Sequence, residues 1–120
     1  MFTSTESMKK QATNLINTLI IIRGNLVRSL PYIDNNKTVA IYFMGNAYSE
    51  FTLFKSIYLS GTPENPQITE FIEKYSEFQN EVDNYVELYE EDSYLPSSFK
   101  EIYGIINDLE VNLSEWVKNN

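Results

Sequence analysis

Residues 66–92 read PQITEFIEKYSEFQNEVDNYVELYEED, and the spacing inside this stretch decides the fold. Its apolar residues Ile68, Phe71, Tyr75, Phe78, Val82, Tyr85 and Tyr89 are separated alternately by three and four positions. That rhythm lies close to the 3.6-residue turn of an α-helix, so the seven share one side and form a seam that packs against other helices. Beside the seam, Glu70, Glu73, Glu77, Glu81, Glu87 and Glu91 recur at helical spacing and predict an acidic ridge. One stretch is therefore both core wall and charged surface. Glu90, Glu91 and Asp92 crowd the negative end of its helix dipole, which frays the last turn or marks a place where a cation docks.

The residues before this stretch set its start. Ser60 to Pro66 reads as a connection, with Gly61 just past the preceding helix, Asn65 as N-cap and Pro66 at the first helical position, where its missing N–H has no intrahelical role. Farther upstream, about Lys37 to Leu59, the run Thr38-Val39-Ala40-Ile41-Tyr42-Phe43-Met44 has the β-branched and aromatic content of a buried strand. A helix is the preferred reading. Ala40, Met44, Ala47, Phe51, Phe54 and Tyr58 keep the same alternation, and a lone strand has nothing to pair with. Ile41, Tyr42, Tyr48 and Leu53 fall largely off this stripe and predict an apolar face for a partner or a second copy.

The first segment, from Thr3 or Ser4 to Leu30, opens on the capping-box pattern Thr3-Ser4-Thr5-Glu6. Met8, Ala12, Leu15, Leu19, Ile22 and Leu26 supply its stripe, and Ile16, Ile20, Val27 and Leu30 are expected to widen it. Gly24 inside it predicts a bend or a close helix approach. Pro31 ends the segment. The last segment runs to about Lys118, with a second capping box at Ser98-Phe99-Lys100-Glu101 and a seam of Phe99, Ile102, Ile106, Leu109, Leu113 and Trp116. Four long helices on short connections predict an all-α fold, a single-domain antiparallel up-down-up-down four-helix bundle over residues 1–120.

Composition narrows the chemistry. The chain contains no cysteine and no histidine, which excludes disulfides, thiolate or imidazole metal sites and Cys or His catalysis, and fits a reducing cytoplasmic setting. A signal-peptide reading of residues 9–22 fails because Asn17 and Thr18 interrupt the apolar run. No apolar run approaches the roughly 18 residues that span a bilayer. A di-metal carboxylate site of the helical-bundle kind needs inward glutamates and Glu-x-x-His pairs, and here the seam positions are apolar. No calcium loop or phosphate-cradling glycine loop occurs, and no pair among the seventeen acids stands out as general acid and base. The reading is non-enzymatic, with no cofactor and no metal.

Charge points toward a partner. Of the net −8, residues 1–60 contribute +3 and residues 61–120 contribute −11. Such asymmetry repels a phosphate backbone and argues against direct nucleic-acid binding. The abundance of asparagine and tyrosine with scarce alanine also matches the codon bias of AT-rich DNA, so tyrosine richness alone marks no surface. Two functions are expected. The first is a protein-binding modulator of the inhibitor, immunity or antitoxin kind, its acidic helix set against a basic protein surface, where the ridge carboxylates, about 5 Å apart, mimic nucleic-acid phosphates. The alternative is a homo-oligomeric, for example dimeric, structural or accessory subunit that assembles through Ile41, Tyr42, Tyr48 and Leu53. Against both stands an acidic face that serves only solubility.

Overall fold

The run at 38–44 is helical. In the computed structural model, which describes residues 5–61, 64–87 and 94–120, four helices follow one another: α1 Thr5–Ser29, α2 Lys37–Leu59, α3 Pro66–Glu87 and α4 Tyr94–Asn119, with a short 3-10 turn Leu30–Tyr32 after α1. No strand occurs among the described residues. Ala40, Met44, Ala47, Phe51, Phe54 and Tyr58 are all buried, and burying this stripe settles the helix against the strand that local composition allowed. The side chain of Asn36 caps α2 by accepting the N–H of Val39 at 3.3 Å.

All four helices contribute to one core. α1 packs on α2, α2 on α3 and α3 on α4, while α1 and α4 close the ring. The α1 and α2 backbones approach closely along their length, with Ala40 and Ala47 buried in α2, whereas α2 and α3 meet through aromatic rings. There Phe51 stacks on Tyr75 at 4.2 Å between centroids and meets Phe71 edge-on at 5.8 Å, and Phe54 meets Phe71 at 5.0 Å. Such pairs contribute about 0.5–1.5 kcal/mol each beyond the area they bury.

Helix ends follow from specific side chains. Asn65 Oδ1 accepts the N–H groups of Gln67 (2.9 Å) and Ile68 (3.2 Å), so Asn65 is the N-cap of α3 with Pro66 at its first position. Gly61, just beyond α2, takes a φ of +141°, open to glycine and strained for other residues. The Tyr58 hydroxyl accepts the N–H of Asn65 at 2.7 Å, tying the end of α2 to the start of α3. Tyr85 reaches back from α3 to donate to the Ile33 carbonyl at 2.6 Å, and the Lys37 ammonium lies 5.0 Å from its ring centroid.

Three sequence expectations are corrected. Ile20, Val27 and Leu30 do not widen the core stripe of α1 but are exposed. Thr18 and Ser29 are buried instead, because their hydroxyls donate to the carbonyls of Leu15 (2.7 Å) and Leu26 (2.6 Å) and carry no unsatisfied polarity inward. The Ser98 capping box does not start α4, which begins at Tyr94; Pro96 is compatible with that earlier start because the first-turn amides have no intrahelical acceptor. Gly24 does not mark a close approach, since nothing lies within 4 Å of where its Cβ would stand. The Thr3 capping box and the acidic end of the third segment at 88–93, Tyr89 included, lie outside the described residues.

Candidate interaction surfaces

Helix α3 turns its buried seam, Ile68, Phe71, Tyr75, Phe78 and Val82, to the core, and this fixes where its carboxylates point. Glu70, Glu73, Glu77 and Glu87 are exposed, while Glu81 is half-buried. Glu91 lies outside the described residues. Glu70, Glu73 and Glu87 form no ion pair among the described residues. Glu77 does, for Lys74 Nζ stands 3.6 Å from Glu77 Oε2 and 3.9 Å from Glu101 Oε1 on α4. Both contacts are long and solvent-exposed, so each contributes at most about 1 kcal/mol. Lys74 and Glu101 were missed in the sequence reading. Their signal was present in part, since Lys74 stands four positions after Glu70 and three before Glu77.

Glu81 marks where the ridge dips into the seam between α3 and α4. Its Oε2 is buried without a hydrogen-bond partner among the described residues. Beside it a recess of about 50 Å³ is lined by Lys74, Glu77, Phe78, Glu81, Glu101 and Ile102. That volume suits a water or two rather than an organic ligand. Among the described residues, no three acidic side chains converge as metal ligands.

The apolar residues of α2 divide into two groups. Tyr42, 63 % exposed, and Leu53, 48 % exposed, stand eleven positions apart on the side opposite the buried stripe. Ile41, half-buried, and Tyr48, exposed, stand seven apart on the flank that faces α3, where Tyr48 lies near enough to Tyr75 to influence its ionisation. At 3.6 residues per turn the two lines are roughly 120° apart, so the four side chains do not form one patch. Leu59, 74 % exposed, extends the flank of Tyr48.

A further surface surrounds Arg23. Its guanidinium pairs with Glu110 and donates to Asn107 Oδ1 at 2.7 Å, both on α4. Exposed Ile20, Val27 and Val111 flank the pair. Arg23 is thus engaged in joining α1 to α4. Among the described residues, no helix is long and apolar enough to cross a membrane. Compared with known protein families, characterised proteins and solved structures, the chain matches none.

Proposed function

We propose that the protein is a non-catalytic binding module that works in the cytoplasm by presenting the α3 carboxylates to a basic surface of a protein partner. The reading rests on one observation: Glu70, Glu73 and Glu77 stand exposed along consecutive turns of one helix. They rise about 5 Å per step at ~1.5 Å per residue, a spacing that suits a groove built for phosphates. Such a module inhibits or neutralises its partner in the manner of an immunity protein or antitoxin. Its helices run up-down-up-down, which short connections and the ring of neighbouring contacts favour.

Charge reversal tests the proposal. The triple variant Glu70→Lys, Glu73→Lys, Glu77→Lys is expected to lose a basic protein that the native chain retains from the source cell, while its helical circular dichroism is unchanged. Retention by the native chain is expected to fall steeply between 0.1 and 0.5 M salt, since exposed charges are screened over about 10 Å at 0.1 M and less at higher salt. Capture indifferent to both salt and variant overturns the proposal.

A second reading is favoured by the exposure of Tyr42 and Leu53 on the outer side of α2. Here the chain self-associates as a structural or accessory subunit. Sedimentation equilibrium separates the two: a dimer that Tyr42→Ser with Leu53→Ser returns to monomer supports self-association, and a monomer throughout removes it.

A further inference from the structure

One end of the molecule holds a cavity of about 280 Å³ between the first turns of α1 and α3 and the last turns of α4. This is near the lower edge of the ~300–1,000 Å³ range of small-molecule sites. Met8, Ala12, Leu15, Ile68, Leu113 and Trp116 make its apolar wall. Its rim carries Glu64, Gln67 and Asn112, and the Asn112 amide donates to Gln67 Oε1 at 3.0 Å. That bond leaves the Asn112 carbonyl oxygen as an acceptor. Among the described residues, Glu64 is the single charged residue of the lining, and it is exposed and has no ion-pair partner.

The α3 N-terminus does not make this an anion site. Pro66 has no N–H, Asn65 Oδ1 takes the N–H groups of Gln67 and Ile68, and the Asn65 carbonyl takes that of Thr69 at 3.0 Å. The donors that would meet an anion are used. The polar lining also holds neutral donors, the Gln67 and Asn112 amides, but its formal charge is the Glu64 carboxylate; with the Asn112 carbonyl oxygen and the face of the Trp116 indole, this balance favours a cation. The net charge of −8 adds a long-range attraction of the same sign. We propose that this cavity binds a small organic cation, a primary ammonium group on an apolar body of about the size of one aromatic ring, with the ammonium at Glu64 and the body against Trp116.

Trp116 is the only tryptophan, so its emission reports the cavity directly. 2-Phenylethylamine, protonated at pH 7 as lysine is, is expected to change that emission saturably, with a midpoint in the millimolar range or below. 3-Phenylpropionate has nearly the same body with the opposite charge and is expected to bind far more weakly. Glu64→Gln, an exposed change, is expected to weaken the amine about tenfold with circular dichroism unchanged. Ala12→Phe is expected to fill the cavity and abolish the response; should that variant fail to fold, Glu64→Gln still decides the matter. A flat titration with the amine, equal binding of amine and carboxylate, or undiminished affinity in Glu64→Gln overturns the proposal.

Discussion

Tyr75 carries its hydroxyl into the aromatic core, where no described residue accepts or donates to it. The ring packs well, stacked on Phe51 and edge-on to Phe71 and Phe78, but the oxygen has lost its hydration for nothing. Leaving such a group unpaired costs about 1–3 kcal/mol, so Tyr75→Phe is expected to raise the free energy of urea unfolding by an amount in that range. Burial foremost, with the nearby Tyr48 adding to it, pushes the Tyr75 pKa up from its ordinary 10.0. As pH rises the unfolded chain therefore releases this proton before the folded one does. Tyr75 contributes its full stability below about pH 10 and progressively less above, and Tyr75→Phe is expected to flatten the loss of stability between pH 10 and 12. Tyr58 and Tyr85 give the opposite sign. Their hydroxyls are bonded to the backbone of Asn65 and Ile33, so removing either oxygen is expected to cost about 0.5–1.5 kcal/mol in the same urea titration. Destabilisation by Tyr75→Phe comparable with these two would mean that its hydroxyl has a partner.

At the scale of elements, Gly24, Gly45 and Gly104 each sit inside a helix with open space where a Cβ would stand. Each alanine replacement is expected to add about 1 kcal/mol, and because the sites lie on three different helices the gains should add. Gly61 differs: at a φ of +141° the same replacement is expected to destabilise, and thermal melts of the four single variants check both signs. These glycines show what was legible in the sequence. The α2 stripe, the Asn65 cap and the Gly61 terminus were readable because hydrophobic period and backbone stereochemistry act locally. Gly24 predicts a bend or a close helix approach, and the second of these, which the structure removes, depends on neighbours that the sequence does not place. Thr18 and Ser29 looked polar and proved buried, since a hydroxyl bonded to its own helix sheds its polarity. The true start of α4 was obscured by a Ser-x-x-Glu pattern that has equal standing at a cap and inside a helix. For the candidate surfaces the limit was angular. The exposure of Glu70, Glu73, Glu77 and Glu87 followed from the seam, whereas the half-burial of Glu81 and the partial neutralisation by Lys74 required knowing where α4 packs and that it brings Glu101 beside Lys74.

On the scale of the whole molecule, an acidic chain of pI about 4.4 carries a self-repulsion that its fold must tolerate. Glu73 is its clearest instance, exposed, unpaired among the described residues, and set three and four positions from Glu70 and Glu77. Like-charge neighbours at those spacings cost a few tenths of a kcal/mol each, so Glu73→Lys converts two repulsions into two attractions. The variant is expected to be about 1 kcal/mol more stable than the native chain in 10 mM salt, a rise of about 4 °C in Tm, and the gap should close toward 0.5 M salt. A loss of stability instead would give Glu73 a role within the fold and remove the premise of the proposed acidic surface. If the gain is found, Glu73 is a side chain whose use lies outside the fold, either in solubility or in a partner. Solubility depends on net charge, whereas recognition depends on position. The double variant Glu73→Lys, Lys10→Glu keeps the charge at −8 and adds its carboxylate on an exposed position of α1. Under the proposed function, solubility stays constant while affinity for the basic partner falls about tenfold, as the loss of a well-placed charge pair predicts; unchanged affinity would leave the α3 carboxylates to solvent.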